Sequence, residues 1–346
     1  MARERNISDY YPGSKRRKVL ISVLCVILAV AIILVGSAWI YARTLLKSAP
    51  REELDSSDLG IQTVEKAEED NTDYSSFFKF KNGTNLQSGI VNIALFGLDS
   101  RDMSSTSGRS DATMVLTIDT VHDKVKITTV ARDSYVSVDG HGKTKLTHAY
   151  SYGGHQLAVK TLNQNYGLDI QDFVSVNFSQ LADIIDYIGG VKIDVSEAEN
   201  EVMKKYIDEL NKLGVKTDYL TQTGYVLLTG GQAVAYARNR YTGTDLDRMD
   251  RQYEVLVAMA ESAKNMSVTK YDKFLKMLLS ECVTSLTDEE IISMGLWAAS
   301  SSPEFENLRL PNEKCNASGK MINGTWYYVY DLSAAKQELH SFIYEN

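Results

Sequence analysis

VNIALFGLDSRDMSSTSGRSDATMVLTIDTVHDKVKITTVARD, residues 91–133, alternates short apolar runs with polar breaks. VNIALFGLD (91–99), MVLTIDT (114–120) and KVKITTVA (124–131) are rich in strand formers and each reads as a strand. The period then changes. HQLAVKTLNQNY (155–166) has helical spacing, FVSVNF (173–178) is a strand, QLADIIDYI (180–188) is a short helix, and Gly189-Gly190 opens the strand VKIDV (191–195). Helical patterns follow near 198–213, 230–238, 248–265, 270–281, 288–300 and 332–343, with strands at 306–310 and 325–330. Strands interleaved with helices predict an α/β fold, a three-layer α/β/α domain with a central mixed sheet. The helix–strand–helix pattern of 261–346 predicts that this tail completes the same sheet, so that one domain spans 89–346.

Ahead of that domain, VLISVLCVILAVAIILVGSAWIYA (19–42) is an almost unbroken apolar run. Its length, roughly 36 Å as a helix, suffices to cross a hydrocarbon core with some tilt. Lys15-Arg16-Arg17-Lys18 precedes it, so the positive-inside rule puts residues 1–18 in the cytoplasm and everything after Ala42 outside. Trp39 and Tyr41 suit the far interface. A cleaved signal peptide is the competing reading, with Gly36-Ser37-Ala38 as the cleavage site, but its apolar core would be shorter, about 7–15 residues. The charge-rich segment 43–88 reads as an extracytoplasmic stalk.

Apolar residues make up 44% and charged residues 24% of the 346 positions, which excludes wholesale disorder. A net charge of -8 argues against a nucleic-acid binder, which needs a basic surplus. Any anion must therefore be met by a local cluster. The three cysteines, Cys25, Cys282 and Cys315, show no zinc spacing. Cys282 and Cys315 are either a disulfide or two unrelated thiols, since sequence separation does not set geometry.

Beyond residue 90 lysines are scattered, whereas arginines, Arg309 apart, fall in four short stretches. These hold Arg101 and Arg109; Arg132; Arg238 and Arg240; and Arg248 and Arg251. The planar guanidinium matches phosphate oxygens bidentately, which an ammonium cannot do. Arg248, Arg251 and Gln252 stand at i, i+3 and i+4 and share a helical face. Arg238 and Arg240 share one side of an extended segment. Asp99 and Arg132 follow apolar strands at their C-terminal ends, where open α/β sheets bind ligands. Any single arginine beside an aspartate is explained as well by a surface ion pair, which contributes little. The ensemble points instead to a multiply charged anion.

Pyrophosphate chemistry usually employs a divalent cation, and oxygen ligands without Cys or His favour a hard ion, Mg²⁺ first and Mn²⁺ second. Asp99 and Asp111 flank the first arginine loop and suit that role, although spacing alone does not select them from the other aspartates.

NIALFGLDSR, GRSDATMVLTID, VARDSYV, KLTHAYSYGG, VNFSQLADIIDYIGGVKIDV and LTGGQAVAYARNRYTGTDLDRMDRQ, in that order, resemble the LytR–CpsA–Psr family over about residues 91–260. The basic tail and single anchor resemble it too. The resemblance implies an enzyme that moves a glycopolymer (teichoic acid, capsular or secondary wall polysaccharide) from a polyprenyl-pyrophosphate carrier to peptidoglycan, at the cell membrane, without nucleic acid. It implies Asp99 and Asp111 as magnesium ligands, and Arg109, Arg132, Arg238, Arg240, Arg248 and Gln252 as pyrophosphate contacts. Arg251 belongs to the same D-x-x-R-x-x-RQ motif and is grouped with them as a substrate-binding residue. Lys145 matches a substrate position, in a segment where Thr147 and His148 depart from the usual residues. Phe178, Leu181, Ile184 and Ile185 are either the lining of a lipid groove or plain core. Two rivals remain open: a polyprenyl-pyrophosphate pyrophosphatase with the same site, and a non-catalytic envelope-binding or regulatory protein. A serine or cysteine hydrolase is disfavoured, since no GxSxG is present.

Overall fold

The computed structural model of the chain describes residues 50–61, 89–99, 108–267 and 270–345. The basic tail, the expected anchor (19–42), most of the stalk and Arg101 lie outside the described residues. Among the described residues no helix is long and apolar enough to cross a membrane.

In chain order the strands are β1 (Ile90–Asp99), β2 (Arg109–Asp119), β3 (Lys124–Val130), β4 (Tyr135–Val138), β5 (Gly142–Lys145), β6 (Asp172–Asn177), β7 (Val191–Val195), β8 (Gly224–Leu228), β9 (Val283–Thr284), β10 (Glu304–Leu310), β11 (Ser318–Ile322) and β12 (Thr325–Val329). The helices are α1 (Leu146–Tyr166), α2 (Phe178–Ile188), α3 (Glu197–Lys212), α4 (Gly230–Arg238), α5 (Asp245–Lys264), α6 (Tyr271–Glu281), α7 (Asp288–Ser301) and α8 (Leu332–Tyr344). Six strands form the central sheet in the order β10-β3-β2-β1-β6-β9. β1 runs antiparallel to β2 and parallel to β6, while β3 runs antiparallel to β2 and parallel to β10. The sheet is mixed, as the sequence predicts.

Its two faces are both covered. On one, Ala94, Phe96, Leu98, Val115 and Val130 pack with Leu162 and Tyr166 of α1 and Leu339 and Ile343 of α8. On the other, Met114, Ile118, Val125 and Ile127 meet Trp297 of α7 and Tyr253 and Leu256 of α5. A further cluster joins α2, α3, α4 and α5 through Ile185, Met203, Ile207, Val234 and Val255, together with Val191 and Ile193 of β7.

Three expectations change. VKIDV does not enter the central sheet; β7 pairs with β8 in a separate ribbon. Its residues alternate buried and exposed, whereas a strand inside this sheet would be covered on both faces. Within the tail, β10 does extend the sheet beside β3, but TWYYV pairs with β11 as a hairpin of its own. Residues 50–61, placed in the stalk, lie against the domain. Leu59 is buried, and Leu54 and Ile61 pack on the same core. Asn163 Nδ2 donates to the Leu59 carbonyl at 2.8 Å, and Glu52 Oε2 meets His155 Nδ1 at 2.9 Å. Cys282 and Cys315 are both free thiols.

Candidate active site

Strand direction gathers the charged residues at one edge of the sheet. β1 ends there at Asp99, β2 starts there at Arg109, β3 leaves it into Arg132, and β6, parallel to β1, ends there before Phe178. Asp99 stands opposite Arg109 in the ladder. Between them the register slips: Leu98 pairs with Ser110 and Gly97 with Ala112, so Asp111 has no cross-strand partner. It is the extra residue of a β-bulge, a device that re-aims a side chain. Gly97 permits the close approach there, since a Cβ would lie 3.0 Å from the Ala112 Cβ.

The start of α1 is tied to this edge. Leu146 N and Thr147 N donate to the carbonyls of Ser134 and Arg132, both at 3.0 Å, and Thr147 Oγ1 donates to the Ser110 carbonyl at 2.8 Å. These bonds seat Lys145 against Asp133 (Nζ to Oδ1, 2.6 Å), and Arg132 donates to Asp111 Oδ1 at 2.7 Å. Across the cleft, α4 ends at Arg238. Its guanidinium lies over the rings of Phe178 (4.8 Å) and Tyr206 (5.2 Å) and reaches Glu209 Oε2 at 3.3 Å. The first turns of α5 add Arg248, buried and 2.9 Å from Asp245 Oδ1.

A cleft of about 330 Å³ results. Asp99, Arg109, Asp111, Arg132, Lys145, Arg238, Arg240, Arg248 and Gln252 all line it. With Lys205, seven cationic side chains face four carboxylates, the others being Asp133 and Glu209. An acidic chain thus concentrates positive charge in one place. Arg132 Nε, 3.5 Å from Asp133 Oδ2, and Arg238 Nη1 and Arg248 Nε are buried without a hydrogen bond. Each such donor costs about 1–3 kcal/mol until it is satisfied. Burial works against the charge on Arg132, but Asp111, Asp133 and Asp245 outweigh it and raise its pKa. At Arg248 burial wins, helped by Arg132, and the pKa falls below the ordinary value. His148 also lines the cleft. Burial, then the charges of Lys145 and Arg109, hold its imidazole below the usual histidine range.

Arg251 is the exception among the sequence candidates. It does not line the cleft. Its guanidinium donates to Glu199 Oε1 (2.7 Å), to the carbonyls of Asn239 and Thr242 (3.0 Å each) and to Thr242 Oγ1 (2.8 Å). Three residues along a helix turn about 300° and four about 400°, so Arg251 and Gln252 diverge on either side of Arg248. Of the proposed groove residues, Ile184 and Ile185 are fully buried core, while Phe178 lines the cleft and Leu181 packs beside it on the α2–α5 cluster. Sequence reading missed Lys205, Tyr206 and Glu209 of α3, which look like an ordinary amphipathic face. It also missed Tyr241, whose one signal was adjacency to Arg240.

The family model described as the LytR_cpsA_psr family matches residues 58–341. The chain belongs to the LytR–CpsA–Psr family. It is 29% identical over 286 residues to the polyisoprenyl-teichoic acid–peptidoglycan teichoic acid transferase TagT of Bacillus subtilis (strain 168), covering 81% of this chain and 82% of that protein. The corresponding transferase TagU of Oceanobacillus iheyensis is 30% identical over 248 residues, covering 69% and 71%. Among solved structures, the LytR-CPS2A-psr family protein YwtF (TagT) with bound octaprenyl pyrophosphate lipid aligns with a TM-score of 0.59 at 25% identity, covering 84% of this chain and 99% of that one. That relative holds octaprenyl pyrophosphate, a multiply charged anion with a prenyl tail.

Proposed function

We propose that this LytR–CpsA–Psr protein transfers a glycopolymer from a polyprenyl-pyrophosphate carrier to peptidoglycan. The single observation that carries the reading is the convergence of buried, unsatisfied guanidinium donors with carboxylates in one cleft. The relatives named as teichoic acid transferases, and the one holding octaprenyl pyrophosphate, support the same substrate class.

Arg109, Arg132, Arg238, Arg240 and Arg248 bind and orient the pyrophosphate oxygens, with Gln252 and Lys145 beside them. A hydroxyl of the peptidoglycan sugar attacks the glycan-side phosphorus. The new P–O bond forms as the bond to the bridging oxygen breaks, and polyprenyl phosphate leaves with that oxygen. The hydroxyl proton passes to a carboxylate of the cleft, Asp99 or Asp111. Fixed guanidinium charges lining the cleft provide positioning and electrostatic stabilisation, the main sources of rate in phosphoryl transfer. Asp99 and Asp111 form an all-oxygen pair fit for Mg²⁺, which takes one or two protein carboxylates and fills the rest of its shell with substrate and water. When bound, the ion supplies neutralisation of charge between the phosphoryl groups. Lys15–Lys18 ahead of the apolar run 19–42 supports a single-pass anchor, with the tail cytoplasmic and the catalytic domain outside.

The test measures polyprenyl phosphate release by the full chain, with Mg²⁺ or EDTA and with or without peptidoglycan fragments. Release that requires metal and labels peptidoglycan is expected, falling about 10²–10³-fold in Asp99→Ala and Arg238→Ala. Release without labelling would replace the transferase by a pyrophosphatase. No release by a folded, lipid-binding protein would leave a binding protein.

A further inference from the structure

The charged machinery leaves unexplained why aromatic rings crowd one side of the cleft. Lys145 and His148 both line the cleft, and each has a tyrosine beside it. Tyr327 of β12 lies 4.8 Å from Tyr135 of β4, with Lys145 Nζ 5.8 Å from the Tyr327 centroid and Lys143 Nζ 6.0 Å from that of Tyr135. Tyr152 sits 5.7 Å from His148 and stacks at 4.2 Å on His141. Tyr152 is 49% exposed, and Lys143 is exposed with no acidic partner among the described residues. The β11–β12 hairpin is held to the cleft wall by Tyr328 N, which donates to the Asp133 carbonyl at 2.9 Å. The rim is therefore continuous with the site.

We infer that this rim, Tyr152, Tyr135 and Tyr327 with Lys143, binds the glycan strand of the acceptor. The inference deepens the proposed transfer and rests on it. A pyranose offers a flat C–H face bordered by hydroxyls, and a half-exposed tyrosine offers a flat ring with a polar tip. Stacking the two removes apolar surface from water while both hydroxyl edges stay wet. Lys143 complements the carboxylates carried by peptidoglycan stems. Position selects the acceptor over the donor. The prenyl chain of the donor requires apolar contact, and the apolar side chain among the cleft's lining residues, Phe178, follows β6. Displacement at phosphorus is in line, so the attacking hydroxyl enters opposite the departing prenyl phosphate. The Lys145 side follows β3, and β2 and β1 separate β3 from β6.

The experiment compares the full chain with Tyr152→Ala, Tyr152→Phe, Tyr327→Ala and Lys143→Ala. Acceptor KM and donor KM are measured in the transfer assay, and calorimetry without donor gives the Kd of a stem-bearing peptidoglycan tetrasaccharide. Tyr152→Ala is expected to raise acceptor KM and Kd about tenfold, Tyr327→Ala similarly, and Lys143→Ala about threefold, with donor KM unchanged. Tyr152→Phe, which keeps the ring, should stay within about twofold of the parent. Acceptor KM and Kd unaltered in both alanine variants would overturn the inference, as would a donor KM rising in step. Tetrasaccharide binding lost in Tyr152→Ala while the parent shows no transfer would uphold the rim and sink the transferase reading instead.

Discussion

Arg251 and Arg240 are eleven positions apart and do different work. Arg251 is buried and pins residues 239–242 through its bonds to Asn239 and Thr242, with Glu199 neutralising its charge. Its removal strands Glu199 and two carbonyls. Arg251→Ala should destabilise the protein by about 2–4 kcal/mol, read by denaturant unfolding, because one partner of a buried pair is left uncompensated. Arg240 is exposed at the cleft, and Arg240→Ala should change stability by less than about 0.5 kcal/mol while weakening pyrophosphate binding. Equal destabilisation by both would refute the division. Clustered arginine was legible in the chain, because beyond residue 90 lysines are scattered while arginines, Arg309 apart, fall in four short stretches. Which member of an i, i+3, i+4 set faces the anion was not. That choice is made by the 239–242 loop and by α3, whose approach no local spacing records.

At the scale of elements, the order of strands and helices is readable wherever apolar runs are long, as in β1, β3 and α2. It fails for β4 and β5, four residues each, and for β8, where Tyr225 and Leu227 face solvent. Short ribbons take their pairing from neighbours, not from their own periodicity. The junction of α2 with α4 shows how an element sets the site. A Cβ on Gly230 would lie 1.9 Å from the Ala182 carbonyl oxygen, inside backbone that cannot yield like a side chain. Gly230 N also donates to Asp186 Oδ1 at 2.6 Å. Gly230→Ala must therefore push α4 away from α2 and carry Arg238, at the other end of α4, off Phe178. A loss of about 3 kcal/mol or more is expected, with transfer activity reduced further than stability explains. Thermal unfolding and kinetics at a temperature where the variant is folded would check it. Wild-type activity there would show that α4 does not set the position of Arg238.

For the whole molecule the governing contrast is a net charge of -8 around a cleft in which cations outnumber carboxylates by seven to four. The fold holds this surplus together against its own repulsion, and three guanidinium nitrogens there make no hydrogen bond. An anion that fills the cleft should then stabilise the folded state, since it binds the native arrangement and not the unfolded chain. At 100-fold above its Kd, inorganic pyrophosphate would contribute about 2.7 kcal/mol. For a domain of this size that is a rise in Tm of about 5 °C. The rise should shrink as salt is added, because the exposed part of the cleft is screened. It should be at least halved in Arg240→Ala, which keeps the fold but removes one contact. Differential scanning fluorimetry in Mg²⁺ and in EDTA separates the two halves of the site. A rise that needs Mg²⁺ and is lost in Asp99→Ala assigns the carboxylates to the ion. A rise that persists unchanged in EDTA would restrict recognition to the arginines and remove Asp99 and Asp111 as metal ligands. Inorganic phosphate at matched ionic strength should raise Tm far less, because one tetrahedral anion cannot span arginines delivered from β2, β3, α4 and α5 at once.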